Sequence, residues 1–139
     1  MNDQELATAS AAALYERDTA ARTLGIRVEE VAPGRASLSM TVVDTMANGH
    51  GICHGGYIFT LADTAFAYAC NSRNASTVAA GARIDFLAPA RLGERLLATA
   101  TEVSLRGRNG VYDVVVSRED GERLALFRGN SFRIEGSVF

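Results

Sequence analysis

The sequence predicts an α+β fold, with one antiparallel β-sheet of about six strands wrapped around a long central α-helix. Three observations carry that expectation. The stretch from Tyr57 to Cys70 has helical spacing and is apolar nearly all round, so it must be buried. Most of the remaining chain alternates apolar and polar residues with a period of two. A chain of 139 residues can build one core, and one amphipathic sheet needs its apolar face covered by such a helix.

Composition narrows the class. Hydrophobic residues make up 47% and charged residues 22%, which excludes disorder as the main state. A net charge of −2 gives no reason to expect nucleic acid as a partner. All 14 basic residues are Arg, a bias that points to genome composition more than to function. No apolar run is long enough to span a membrane. The acidic start, Met1 to Glu5, is unlike a signal peptide, and two cysteines make no disulfide framework. A cytoplasmic protein with free thiols is expected.

In chain order, residues 3 to 23 read as a first helix, weakly apolar through Leu6, Ala9, Ala13 and Leu14, with Gly25 as its stop. The N-terminal helical unit is thus 1–24 of a single domain, 1–139. From Ile26 the period changes. Val28 and Val31 lead to the turn pair Pro33-Gly34, and Arg35 to Val43 alternates cleanly, giving a hairpin. The central helix is expected over 55–72, ended by Asn71 to Asn74. Thr77 to Leu87 is a strand with Val78, Ala80, Ala82, Ile84 and Phe86 on one face, and Pro89 stops it. Strands over 94–105, 111–117 and 124–134 complete a four-stranded meander, with Asn109-Gly110 as the strongest hairpin signal.

The chemistry concentrates before and within the central helix. Asn48-Gly49-His50-Gly51-Ile52-Cys53-His54-Gly55-Gly56 has four glycines and two histidines, a composition for a loop and not a core. It runs into a helix whose first N–H groups lack intrahelical partners and lie at the positive end of the helix dipole. Such a start can hold a carbonyl oxygen or an anion. Two turns on comes one acid, Asp63, among Leu61, Ala62, Ala65 and Phe66. A carboxylate there is costly unless it has a partner or a task. Asp63 therefore ranks first as a catalytic group.

These residues resemble a known family. The run from Asn48-Gly49-His50 through His54-Gly55-Gly56 to Leu61-Ala62-Asp63-Thr64-Ala65-Phe66 is similar to the hotdog-fold acyl-CoA thioesterases, in the phenylacetate-degradation branch. Ile84 to Pro89, Gly110 to Asp113 and Ala125 to Gly129 resemble the same branch. The resemblance implies hydrolysis of acyl-CoA thioesters, such as phenylacetyl-CoA or hydroxyphenylacetyl-CoA. It implies no metal or bound cofactor, coenzyme A being part of the substrate. It also implies a homodimer, usually paired into a homotetramer, with the site between subunits. Carried over by position, the Gly55 N–H would polarise the thioester carbonyl, and Asp63 of the neighbouring subunit would be general base or nucleophile. Asn48 would orient water or thioester. One departure stands out: where relatives carry Ser or Thr on the strand after the helix, this chain reads Val78-Ala79-Ala80-Gly81-Ala82, with Thr77 the nearest hydroxyl.

Other candidates have ordinary readings beside their functional ones. His54 either hydrogen-bonds the thioester region or fixes the loop; His50 is structural. Gly56 would join Gly55 in binding substrate. Arg106, Arg108 and Arg128 would hold the CoA phosphates, or be solvated. Phe59, Phe66, Tyr68 and Phe86 are core aromatics, of which Phe86 would line the acyl pocket. Cys53-His54 is a weak nucleophile pair, since adjacent residues on extended backbone point apart. His50, Cys53, His54 and Asp63 match no zinc spacing. Asn74-Ala75-Ser76 matches a glycosylation acceptor that a cytosolic chain would never use. Four alternatives remain: a thioesterase for a medium-chain or benzoyl group, a dehydratase of the same fold, a non-catalytic CoA-ester-binding protein, and a metal-dependent hydrolase.

Overall fold

The computed structural model describes residues 1–139. Two helices, α1 (Asp3–Arg17) and α2 (Thr19–Thr23), precede the hairpin β1 (Arg27–Ala32) and β2 (Arg35–Thr41). A 3-10 turn at Asp44–Met46 and the glycine-rich loop lead into α3 (Gly55–Cys70). Four strands follow: β3 (Ala75–Phe86), β4 (Arg95–Arg106), β5 (Asn109–Arg118) and β6 (Arg123–Ser137). No helix is long and apolar enough to cross a membrane.

All six strands form one antiparallel sheet in the order β1-β2-β4-β5-β6-β3. The sheet curls over α3, whose Leu61, Ala62, Ala65, Phe66 and Ala69 are buried against Leu38, Met40, Ala98, Val114 and Phe127. Phe66 fixes how close helix and sheet come. Its ring occupies the place where a Cβ on Gly129 of β6 would be, at 2.8 Å.

The sequence expectations need four corrections. The first helix is two, because Asp18 leaves helical backbone (φ −86°, ψ 76°) and its Oδ1 accepts from the Ala21 N–H to start α2. Its Oδ2 accepts from the Tyr68 hydroxyl, which ties this joint to the central helix. The meander has three strands and not four. β3 never pairs with β4; the chain crosses the sheet after Phe86, and β3 closes the far edge against β6. The turn between β4 and β5 is Gly107-Arg108 and not Asn109-Gly110. Arg106 pairs with Asn109, and Gly107 takes φ 59°, the first central position of a type II′ turn. Finally, β3 carries a bulge between Ala79 and Gly81. One extra residue reverses the alternation. Ala82, Ile84 and Phe86 therefore share the inner register with Ala79 and Thr77, while Val78 pairs with Phe132 on the outer face.

The two sheet edges differ. Along β1 lies α1, joined to it by the Gln4 side-chain amide donating to Val31 O (2.8 Å) and the Tyr15 hydroxyl donating to Ile26 O just before it (2.6 Å). Along β3 nothing lies, and Val78 and Phe86 are 45% and 52% exposed.

Candidate active site

The glycine-rich loop is folded by Asn48. Its Oδ1 accepts from the N–H groups of His50 (2.9 Å) and Ile52 (3.3 Å), and Ala47 and Cys53 form an isolated bridge. Those two bonds fix which end of the amide faces the loop, so Asn48 offers outward only its Nδ2 donor. The next anchors, Cys53 N–H to Ala90 O and His54 N–H to Met46 O, aim the chain into α3.

At the helix start the two glycines have different fates. His54 is the N-cap, and its Nδ1 accepts from the Gly56 N–H at 3.2 Å. The Gly55 N–H donates to no acceptor in the chain. Of the pair, only Gly55 is available to a ligand, at the positive end of a 16-residue helix. The expected contribution of Gly56 to substrate binding is therefore corrected: its N–H is already used. The Phe86 ring lies over Gly55, its Cζ 2.9 Å from where a Cβ would stand, so this edge-strand aromatic walls the free N–H.

Asp63 sits on the one stripe of α3 that the sheet leaves half-open, with Thr60, Ala67 and Cys70. Thr60 and Thr64 spend their hydroxyls on helix carbonyls, Gly56 O and Thr60 O. The Asp63 carboxylate makes no ion pair and no hydrogen bond within the chain. Burial without a partner pushes its carboxyl above the ordinary carboxylate range. A carboxyl in that setting is suited to taking up a proton and is not held in a structural ion pair.

Other candidates are placed elsewhere. Arg128 is on the outer face of the sheet, in a two-pronged ion pair with Asp113 at 2.7 and 2.9 Å, so its expected role in holding CoA phosphates is corrected. Arg106 and Arg108 are in the β4–β5 turn at the other end of α3. Arg108 is bound to Arg133 O (2.9 Å) and Glu135 (3.3 Å). Cys53 is buried, and burial raises its thiol, which removes it as a nucleophile. No three His, Cys, Asp or Glu side chains converge as a metal site.

Sequence reading missed one network. Glu102, on the inner face of β4, accepts from the Tyr112 hydroxyl at 3.0 Å and pairs with Arg73 at 2.8 Å, bracing the C-terminal end of α3. The signal was present: Leu96, Ala98, Ala100 and Glu102 share one phase, which puts an acid on an apolar face.

A free helix-start N–H and an unpaired, partly buried carboxylate are the kinds of group that acyl-transfer chemistry uses. Comparison with known proteins gives the family. Residues 50–125 match the family model of the Thioesterase superfamily. The Escherichia coli acyl-coenzyme A thioesterase PaaI is 46% identical over 129 residues, 93% of this chain and 92% of that protein. The chain belongs to the thioesterase superfamily. Its enzyme class is thioester hydrolase, of the acyl-CoA thioesterase kind. The solved structure of the E. coli PaaI protein, from the phenylacetic acid degradation operon, superposes with a TM-score of 0.95, covering 96% of this chain and 97% of that one. A Streptococcus mutans protein solved bound to acetyl CoA is 27% identical, with a TM-score of 0.77 over 81% of this chain and 90% of its own. The hotdog fold expected from the sequence is the fold observed.

Proposed function

We propose that this chain, as one hotdog domain, hydrolyses arylacetyl-CoA thioesters of the phenylacetyl-CoA and hydroxyphenylacetyl-CoA type in the cytoplasm, as a homodimer. The substrate class rests on the 46% identity to a PaaI thioesterase. Coenzyme A enters as part of the substrate, and no further cofactor is invoked.

One observation carries the assembly. Asp63 follows Gly55 by eight residues on one helix, an axial offset of about 12 Å. A carboxylate side chain cannot cross that distance to a carbonyl held on its own Gly55 N–H. Two copies joined through the open β3 edge would run their α3 helices side by side, so that each Asp63 serves the other copy's Gly55. The small residues Ala79 to Ala82 allow the close approach this needs. Exposed Leu126 and Phe132 on the outer face offer a surface for pairing dimers into tetramers.

In this reading the thioester carbonyl accepts from the Gly55 N–H, and the Asn48 Nδ2 donates beside it. Asp63 of the second copy takes a proton from the attacking water; the carbonyl oxygen becomes an oxyanion held by the helix start; collapse expels the CoA thiolate. An oxyanion donor contributes about 3–4 kcal/mol, and a general base about 10²–10⁴ in rate. The decisive experiment mixes Asp63→Asn with Gly55→Ala protein after co-refolding. Each variant alone should be nearly inactive, and the mixture should regain about a quarter of wild-type turnover of phenylacetyl-CoA, because mixed dimers hold one intact site. No recovery, with mixed dimers present by mass, would sink the shared site.

A further inference from the structure

At the end of α3 far from Gly55, a partly enclosed cleft of about 220 Å³ opens between the helix end, the β4–β5 turn and β6. Arg73, Arg108 and Arg133 line it, and no acid does. In each of three other clefts arginines are matched by acids, as Arg83 and Arg128 are by Asp85 and Asp113. The chain as a whole carries more acid than base, with a net charge of −2. Like charges in one concavity repel one another and focus a positive field outward. Such a grouping costs stability unless an anion offsets it.

The three arginines are not equally committed. Arg73 spends both Nη groups on Glu102, at 2.8 and 3.5 Å. Arg108 donates one Nη to Arg133 O (2.9 Å) and the other to Glu135 (3.3 Å). The Glu135 side chain is 95% exposed, so it holds Arg108 weakly. Arg133 lies opposite Thr77 in the β3–β6 ladder, and its side chain makes no ion pair and no hydrogen bond within the chain. Arginines at a helix C-terminus ordinarily serve its last carbonyls. Here Asn71 Nδ2 donates to Ala67 O and Ser72 Oγ to Ala69 O, so the cluster has no such duty.

We propose that this cleft binds a phosphate group, gripped by the free guanidinium fork of Arg133 with Arg108 beside it. The tetrahedral oxygens of a phosphate can be reached by more than one guanidinium at once. Three arginines exceed what a single carboxylate, with one charge, would need. Two sources carry this chemistry. One is a phosphate of a coenzyme A ester, which rests on the acyl-CoA reading above; the other is free inorganic phosphate.

Calorimetric titration tests the site and separates the sources. Inorganic phosphate, coenzyme A, 3′-dephospho-coenzyme A and pantetheine are titrated into wild type, Arg133→Gln and Arg128→Gln. The last variant removes one charge from the outer face. Because Arg133 has no partner in the chain, its replacement should leave folding and mass unchanged. If the source is coenzyme A, Arg133→Gln should weaken its binding about tenfold and leave pantetheine alone. A matching loss for the dephospho form places the diphosphate in the cleft, and no loss there places the 3′-phosphate. If the source is free phosphate, wild type should bind it and Arg133→Gln should bind it about tenfold more weakly, with coenzyme A unchanged. The proposal is overturned if wild type binds neither, or if Arg133→Gln binds both as wild type does. It is equally overturned if Arg128→Gln weakens binding as much, since net charge alone would then explain the loss. Failure of the acyl-CoA reading shows separately, as no thiol release from any ester by wild type.

Discussion

The sheet has two ends that evolution has treated in opposite ways. At one, β1 is shadowed by α1, whose Gln4 and Tyr15 donate to carbonyls at Val31 and Ile26. At the other, β3 presents its backbone, a run of small residues and exposed Val78 and Phe86 with no covering element. An edge strand is a template for pairing, and proteins ordinarily blunt it. Here one edge is blunted and one is left sharp, beside the free Gly55 N–H. If both were open, antiparallel self-pairing at each would extend into an endless sheet. With one edge closed, self-pairing through the other would stop at the proposed dimer.

The largest effect should come from blunting the sharp edge. Ala80→Lys, at the bulge where residue 80 has no ladder partner, should yield monomers by light scattering. Thiol release should fall at least 10²-fold although Asp63, Gly55 and Asn48 are untouched. A fully active monomer would end the comparison.

Next in size is Asp63→Asn. Turnover should drop about 10²–10⁴-fold with no change in mass. The same substitution should raise Tm by about 2–4 °C, because it removes an unpaired, half-buried charge. The pH dependence follows from the raised Asp63 carboxyl. The proposed mechanism needs the ionised form, so kcat/KM should rise with pH through an inflection above the ordinary carboxylate range. For stability the sign is reversed. Between the unfolded and the raised folded value the native state holds more protons, so Asp63 costs stability as pH rises through that window. Denaturation of wild type and Asp63→Asn at several pH values would show the two curves diverging upward from acid.

Smaller changes are expected at the closed edge. Gln4→Ala with Tyr15→Phe should cost about 1 kcal/mol per lost hydrogen bond, measured by urea unfolding, with dimer mass and activity retained. Smallest of all, Arg128→Ala on the outer face should leave kcat/KM and the urea midpoint essentially unchanged, since its pair with Asp113 is exposed.

Much of this was readable in the chain. The apolar helix from Tyr57 and the alternation of Arg35 to Val43 gave the sheet and its filling directly, and an isolated acid after a glycine pair marked the half-buried, unpaired place that Asp63 takes. What was hidden depends on pairing partners. Nothing local shows that β3 skips β4 to reach β6, because strand order is set by how α3 crosses the sheet. The bulge at Ala79–Gly81 is invisible among residues that are all small, and with it the true face of Val78. Gly107 and Gly110 both fit a turn, and only the register of Arg106 with Asn109 decides between them. Gly55 and Gly56 are chemically identical in sequence. The imidazole of His54 distinguishes them by taking one N–H.

The contact between Phe86 and Gly55 bears on how this protein can change over generations. An oxyanion donor made of backbone N–H could be supplied by almost any amino acid, so the chemistry alone does not demand glycine at 55. A methyl group there would stand 2.9 Å from the Phe86 Cζ, so the exposed ring would have to swing aside, and a ring that swings aside uncovers the helix start. The two positions, 31 apart in the chain, are therefore coupled: what stands at 55 sets how residue 86 covers it.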